Sequence, residues 1–313
     1  MARSVSTVSR EWPLVVITCV WGTTFLVTRI GLAETGPLFF VALRFAVAAI
    51  ALAAFCGRSL LDLRRIELVA GVSIGLVIAL GSVLQTMAIE RLPSSMVAFL
   101  TAFYVPLVPL LQWLLLRRPP GWRGWIGALA GFAGLALIAG PVSGGSLLGE
   151  LQAIGCALAF GFEIILIGRV AARVDARRFA VVQVVTVSLA SLAAMPLLGE
   201  HPVWPDARLA LCVLYLGLAS AIVQAVVSWA QRVVSPTRAT IIYATEPVWA
   251  GLIGAAAGEP IGWRAACGAV LIGLGVLSSS LPLPRFSATR RWLAAPRRGR
   301  GRGRRSGAAA CRT

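Results

Sequence analysis

The sequence predicts an all-α integral membrane protein with ten transmembrane helices, arranged as two inverted repeats of five helices each. Of its 313 residues, 58% are hydrophobic and 13% are charged, whereas about 25% of the residues in an average soluble domain are charged. Many apolar runs are about 20 residues long, the length that spans a bilayer core of about 30 Å. In addition, two hydrophobic stretches repeat one another at a constant offset of 141 residues.

Hydropathy divides the chain into four parts: a cytoplasmic N-terminus (1–11), a first repeat (12–141), a second repeat (142–281) and a disordered, arginine-rich cytoplasmic tail (282–313). The first helix has the length of a full span and lacks a small-residue cleavage pattern, which favours an uncleaved helix over a signal peptide. In order, the predicted helices cover residues 12–31, 37–56, 67–87, 94–116, 123–140, 149–168, 179–198, 208–230, 236–257 and 263–281.

The repeat aligns residues 91–134 with residues 232–275 without a gap. The first helices of the two halves correspond more weakly, at an offset of 139 that places Trp21-Gly22 on Phe160-Gly161. A membrane protein built from two copies of one unit is most often a transporter, with its substrate site between the copies. The matching pairs include Ser94 and Ser235, Ala98 and Ala239, Pro106 and Pro247, Trp122 and Trp263, Gly127 and Gly268, and Gly134 and Gly275.

The odd number of helices in each repeat predicts that the second copy is inverted, because five crossings leave its start on the opposite face. The charges agree with this prediction: Arg117-Arg118 precede Pro119 on the predicted cytoplasmic face, whereas Gly258-Glu259 precede Pro260 on the other face. Inverted halves are related by a pseudo-two-fold axis in the membrane plane, which allows one sequence plan to build inward-open and outward-open states.

Arginine carries all of the fixed positive charge, because the chain contains no lysine and has a net charge of +17. With both termini placed in the cytoplasm, 24 of the 29 arginines face inward and only Arg91, Arg208 and Arg264 face outward. This distribution predicts a multi-pass protein of the cell membrane. Ten arginines lie in the last 32 residues, and we expect them to bind anionic lipid headgroups rather than nucleic acid.

Several kinds of chemistry are excluded by what the sequence lacks. The six cysteines show no paired spacing, and the single histidine, His201, lies in a short predicted loop, so neither a metal nor another cofactor is expected. The sequence contains no HExxH, no GxSxG and no Walker-type loop. We therefore expect neither an enzyme nor a transporter that this chain alone drives with ATP.

Short motifs occur in a fixed order along the chain: Trp21-Gly22-Thr23-Thr24-Phe25, Pro37, Arg44-Phe45, Ala98-Phe99-Leu100-Thr101, Pro106, Glu246-Pro247-Val248 and Gly258-Glu259. Their order and spacing resemble the ten-helix EamA type of the drug/metabolite transporter superfamily. The resemblance covers about residues 12–281 and implies secondary transport, usually export, of amino acids, other metabolites or drugs through a cavity between the two halves. It does not imply one particular substrate.

Three ionisable residues within predicted helices, Arg44, Glu163 and Glu246, are candidates for substrate or proton chemistry. A charge at mid-helix costs roughly 2.5–3.5 kcal/mol, so these side chains should face protein or water. Tyr243 shares a helical face with Glu246, and Pro247 frees a backbone carbonyl and can kink the helix. Glu246 could exchange a proton there; alternatively it forms a structural ion pair with Arg44 or a hydrogen bond to a hydroxyl.

The eighth predicted helix carries a polar stripe of Ser220, Gln224, Ser228 and Gln231, at spacings of 4, 4 and 3 residues. Such a stripe either lines a water-filled path or binds adjoining helices, and we favour the lining because glutamine is costly against lipid. Trp229 could stack on a planar or cationic solute. Further candidates for the cavity are Trp21, Thr24, Gln85, Thr101 and Tyr104, with Pro106 and Pro247 as helix breaks.

These features predict a secondary transporter that exports a small amino acid-like or drug-like solute by alternating access, with proton exchange as the coupling that the buried carboxylates would serve. An uncoupled facilitator or uptake carrier is the alternative within transport. An intramembrane enzyme or a channel is the alternative outside it.

Overall fold

The computed structural model describes residues 11–117, 119–139, 146–246, 248–249, 252 and 262–280. These residues belong to one unit that ends at Ser280, and they form helices but no strand. Their α-helices are α1 (Trp12–Gly31), α2 (Pro37–Cys56), α3 (Arg65–Arg91), α4 (Ser94–Thr101), α5 (Tyr104–Leu116), α6 (Trp122–Ala139), α7 (Leu147–Val170), α8 (Ala176–Ala194), α9 (Ala207–Ala230), α10 (Pro236–Tyr243) and α11 (Trp263–Ser280).

Within the described ranges, seven helical segments are long and apolar enough to cross a membrane, and two shorter apolar helices lie at Trp122–Ile138 and Ala266–Ser278. The all-helical membrane fold is therefore confirmed. The count of ten stays a prediction, because much of the predicted helix 236–257 lies outside the described residues. The seven segments are Trp12–Gly31, Pro37–Asp62, Arg65–Arg91, Met96–Leu116, Leu147–Arg173, Ala176–Leu198 and Ala207–Ala230.

Carboxylates of the connecting loops set where helices of the second half begin. The Asp206 side chain accepts a hydrogen bond of 2.7 Å from the Leu209 N–H at the start of α9. Asp175 does the same at the start of α8, where it accepts from the Arg177 N–H at 3.1 Å. Each carboxylate satisfies an amide that the first turn of a helix leaves without a backbone partner.

Two further carboxylates bind a helix start in the opposite half of the chain. Glu200, which precedes α9, accepts a hydrogen bond of 3.0 Å from the Leu38 N–H at the start of α2. Glu67, on α3, accepts one of 2.9 Å from the Asp175 N–H directly before α8 and pairs with Arg178 at 3.2 Å. The helix dipole favours a negative charge at both places, so these contacts join the halves.

The predicted helix 94–116 is broken into α4 and α5 because Pro106 has no N–H to donate to the Ala102 carbonyl one turn earlier. That carbonyl instead accepts a shorter-range bond of 2.9 Å from the Val105 N–H. In the second half, α10 likewise ends after eight residues, at Tyr243. The equivalent proline, Pro247, lies outside the described residues.

The main packing contacts join the two halves rather than the helices within each half. Helix α3 packs against α7 and α8, and its counterpart α9 packs against α1 and α2. Helices α2 and α8, which are counterparts of one another, are also in contact. The buried apolar residues of these helices form one large cluster that draws on both halves.

Helices α6 and α11 occupy equivalent positions in the repeat and cross at glycines. A Cβ atom on Gly134 would lie 2.5 Å from the Gly268 carbonyl oxygen, and one on Gly268 would lie 2.5 Å from the Gly134 carbonyl oxygen. Further along, Gly275 approaches the carbonyl of Gly127 in the same way, at 2.8 Å. Because residue numbers rise along α6 as they fall along α11, the helices run antiparallel. Only glycine allows backbones to approach this closely.

Candidate functional site

A cavity of about 300 Å³ lies among helices of both halves. Its walls come from α1 to α6 on one side and from α7, α9 and the region of α10 on the other. Most of the side chains selected from the sequence meet here. Those that line the cavity are Trp21, Thr24, Arg44, Gln85, Thr101, Tyr104, Glu163, Gln224, Tyr243 and Glu246.

Arg44 brings a positive charge into this cavity from α2. Its Nε donates a hydrogen bond of 2.7 Å to the Ser220 hydroxyl on α9, and that hydroxyl donates to the Leu216 carbonyl at 2.7 Å. The guanidinium carbon also lies 5.4 Å from the centre of the Phe45 ring, within the range of a cation–π contact. These neutral partners hold the guanidinium in place and leave its charge unneutralised.

Glu163 brings a negative charge from α7 and belongs to a buried polar network. Its carboxylate accepts a hydrogen bond of 3.4 Å from the Gln224 amide on α9. The same amide donates to Gln183 Oε1 at 3.2 Å, and Ser228 donates to that oxygen at 3.2 Å. In this arrangement the Gln224 NH2 group points toward both Glu163 and Gln183.

Gln183 on α8 is completely buried and was not among the residues selected from the sequence. It does not line the cavity, yet it orients Gln224, which does. The signal for it was present, because a glutamine in an otherwise apolar helix is costly against lipid. Gln183 therefore meets the same criterion as Gln224.

Glu246 contributes a second carboxylate, just beyond the end of α10. The next residue back, Thr245, shares a hydrogen bond of 3.0 Å with Thr18 of α1. Tyr243 of α10 packs edge-on against Trp21 of α1, with ring centroids 5.1 Å apart. Glu246 thus enters the cavity beside an aromatic pair that spans the two halves.

The three ionisable side chains of the cavity do not pair with one another. Within the described residues, Arg44 forms no ion pair with Glu163 or Glu246. The structural ion pair between Arg44 and Glu246, which the sequence left open, is therefore not formed in this structure. A charged group is costly in a membrane interior unless it faces protein or water.

The remaining selected residues lie elsewhere. Ser228 is completely buried in the packing of α9 against α8, and Trp229 is 44% exposed on another side of α9. Successive residues of a helix point about 100° apart, so a neighbour of a lining residue faces another direction. Pro106 lies in α5 outside the lining, and Pro247 is outside the described residues.

Aromatic side chains form much of the remaining wall. Phe25, Phe45, Phe99 and Phe160 all line the cavity, and Phe99 stacks on Phe132 with centroids 5.9 Å apart. Phe25, Phe45 and Phe99 belong to the family motifs and Phe160 to the repeat, but none of the four was predicted to line a cavity. No group of His, Cys, Asp and Glu that could hold a metal ion occurs among the described residues.

The sequence is similar to those of other proteins that are described as membrane transporters. The EamA-like transporter family matches residues 12–140 and again residues 147–281. Over 253 residues the chain is 30% identical to an uncharacterized inner membrane transporter, YedA, of Escherichia coli (strain K12), which covers 76% of this chain and 79% of that protein. An uncharacterized transporter of Archaeoglobus fulgidus is 29% identical over 166 residues, which is 53% of this chain but only about half (51%) of that relative's length. A solved crystal structure shares the fold, with a TM-score of 0.72 at 20% identity over 88% of this chain and 98% of that chain.

Proposed function

Because this chain belongs to the EamA-like transporter family, we propose that it is a secondary transporter that exports a small amino acid-like solute by alternating access, in exchange for protons. The central observation is a cavity that holds Arg44, Glu163 and Glu246 without an ion pair between the arginine and either carboxylate. A zwitterionic solute would place its carboxylate at Arg44 and its ammonium group at a carboxylate.

The ends of two short helices would also favour binding of the solute's ammonium group in the cavity. Helices α4 and α10 have eight residues each, and both end at the cavity, near Thr101 and Tyr243. The C-terminal end of a helix carries a partial negative charge. Together with Glu246, the end of α10 forms a negative region beside the Trp21–Tyr243 aromatic pair, which suits a cation.

The α6–α11 crossing supports the inverted arrangement that alternating access requires. Its contacts are reciprocal: Gly134 meets Gly268, and Gly127 meets Gly275, which are the same pair after an exchange of the two repeats. Reciprocal contacts of this kind indicate a two-fold relation. Because the equivalent helices run antiparallel, such a relation would invert one half relative to the other. On this basis we propose that the protein has ten transmembrane helices. We also propose that it lies in the plasma membrane, with both of its termini in the cytoplasm.

The two carboxylates suggest how transport would be coupled. Glu163 has a single hydrogen-bond donor, Gln224, among the described residues, and Glu246 follows the broken end of α10. Binding of an ammonium group and binding of a proton at the same carboxylate exclude one another, which makes exchange a direct consequence of the site. The arginine-rich tail would hold the cytoplasmic face near anionic lipids.

The test is transport by proteoliposomes that contain an internal pH dye, with a panel of amino acids, nucleosides and cationic drugs. We expect zwitterionic amino acids to trigger proton movement, and Arg44→Gln to lower kcat/KM for them by about tenfold or more, because it removes a charged hydrogen-bond donor. The matched control is Arg29→Gln, since Arg29 is exposed near the end of α1.

The carboxylates are tested in the same vesicles by solute counterflow. Glu246→Gln and Glu163→Gln should preserve exchange of labelled for unlabelled solute at reduced affinity and should abolish the response to a pH gradient in at least one variant. Saturable transport without any proton movement would indicate the uncoupled facilitator instead. Unchanged proton-driven flux in both variants would remove the coupling role of both carboxylates.

A further inference from the structure

The seam between α1 and α10 is held by polar contacts from one face of the molecule to the cavity. Glu11, directly before α1, forms an ion pair with Arg238 in the first turn of α10. Deeper in, Thr18 and Thr245 share a hydrogen bond of 3.0 Å. Both helices begin on the face that carries the N-terminus and run side by side toward the cavity. We call this contact the α1–α10 seam.

The repeat contains an equivalent contact, the seam between α4 and α7. The offsets of 139 and 141 residues place Glu11 on Glu150 and Arg238 on Val97. The carboxylate is therefore kept, whereas the cation is replaced by a completely buried apolar side chain. At the hydroxyl pair, the equivalents of Thr18 and Thr245 are Ala157 and Tyr104.

The two seams close opposite faces if the halves are inverted, because α4 and α7 begin on the face opposite to α1 and α10. Alternating access exchanges the environments of equivalent elements, so one seam separates while the other stays closed. Separation of the α1–α10 seam breaks an ion pair whose side chains are only 9% and 20% exposed. Among the residues that the structure describes, separation of the α4–α7 seam breaks no corresponding ion pair.

We propose that Glu11 and Arg238 form a latch that holds the N-terminal face closed, and that the absence of a cation at Val97 leaves the opposite face unlatched. The resting protein then presents its cavity away from the face of its N-terminus until solute or protons release the latch. This inference rests on the alternating access proposed above. It assigns gating to two residues that neither line the cavity nor contact a solute there.

The test is hydrogen–deuterium exchange of the full chain in lipid nanodiscs without solute. Arg238→Gln should raise exchange about fivefold in peptides that cover residues 12–20 and 236–245, since losing a coupling of this kind shifts an equilibrium by about that factor, and should leave residues 94–101 unchanged. The reversed pair Glu11→Arg/Arg238→Glu should restore the original exchange. Glu150→Gln, the matched carboxylate of the other seam, should have no effect.

A gain of function tests the other seam. Val97→Arg places a cation opposite Glu150 and should slow exchange over residues 94–101 while raising it over residues 236–245. Val97→Arg/Glu150→Gln has the same large side chain at position 97 but no carboxylate to pair with it. The double variant should therefore not show the changes in exchange expected for Val97→Arg. The exchange measurement needs no solute. The latch can therefore still be tested if no solute in the transport assay is carried.

The latch is overturned if Arg238→Gln exchanges like the unmodified protein, or if the reversed pair exchanges like Arg238→Gln. An equal rise in exchange along the whole chain would also overturn it, because that pattern shows a general loss of stability rather than opening of one seam. Intact solute transport together with unchanged exchange in Arg238→Gln would refute the latch while leaving the proposed function standing.

Discussion

At the scale of single residues, Arg44 and Glu163 are positioned in the cavity by uncharged side chains of α9. Arg44 of the first half is bound by Ser220 of the second half. Glu163 of the second half is bound by Gln224, one helical turn beyond Ser220 on α9. Since these two residues of α9 are four positions apart, they lie on the same side of the helix. One face of α9 therefore sets where a positive and a negative charge enter the cavity.

Ser220→Ala should raise KM for a carboxylate-bearing solute by about threefold to tenfold, with a smaller change in kcat. The guanidinium of Arg44 loses its hydroxyl acceptor, and a hydrogen bond to a charged group contributes about 1.5–3 kcal/mol, part of which water can replace. Initial rates of solute uptake over a concentration series measure the effect. Ser220→Thr keeps a hydroxyl and should restore most of the affinity.

The control for this variant is Ser73→Ala, because Ser73 is an exposed serine on α3 that bonds only within its own helix, to the Val69 carbonyl. A Ser220→Ala protein with the KM of the unmodified protein would show that Arg44 does not need this contact. An equal rise in KM in Ser220→Ala and Ser73→Ala would show that the effect comes from removing any serine rather than from the position of Arg44.

At the scale of helices, glycine and proline decide where backbones meet and where they break. Pro106 separates α4 from α5 beside the cavity, as its missing N–H requires. Glycines of α6 and α11 bring two backbones into direct contact. These helices run through repeated glycines in the sequence, which predicted close packing but not the partner, since spacing within one helix contains no information on which helix it meets.

Gly134→Ala should lower the free energy of unfolding by about 1–3 kcal/mol, because its Cβ would lie 2.5 Å from the Gly268 carbonyl oxygen and neither backbone can yield locally. Thermal unfolding in detergent should show a lower midpoint by several degrees. Gly273→Ala on α11 is the matched control, since no described residue beyond its chain neighbours and the nearby backbone of its own helix lies within 4 Å of a Cβ at that position. Similar midpoints for the two variants would contradict the close crossing.

At the scale of the whole molecule, the two halves are interleaved rather than placed side by side as domains. The helices of each half pack mainly on helices of the other, and the large apolar cluster draws on both. The loops add links of the same kind, as at Glu200 with the start of α2 and Glu67 with the start of α8. Each half alone would therefore leave its main packing surfaces without a partner.

Separate expression should therefore give no stable protein from residues 1–141 or from residues 142–313, whereas co-expression should restore a complex. The buried cluster that both halves supply is absent from either piece. Co-purification through a tag on one half, followed by size-exclusion chromatography, measures this outcome. A monodisperse, protease-resistant half on its own would show that the halves are independent folding units.

The sequence alone was enough to predict the membrane fold, because length and hydropathy decide which segments can enter a bilayer. It also selected most of the polar residues that line the cavity, from Trp21 on α1 to Glu246 beyond α10, because a polar side chain in an apolar helix must face protein or water. Ser228 was also selected as part of the polar stripe, and Trp229 as a ring that could stack on a solute. Neither lines the cavity, because the sequence of a single helix does not reveal what lies opposite each of its faces.

Hydrophobicity and the repeat are properties of the chain itself, so the sequence was sufficient to predict an all-helical membrane protein that resembles one family of transporters. Which side chains meet depends on how the helices pack, and this became visible only in the three-dimensional arrangement. It placed Ser220 against Arg44, brought Gln183 beneath Gln224 and paired Glu11 with Arg238. These pairs are separated by 41 to 227 residues along the chain, and the packing of whole helices between two halves brings them together.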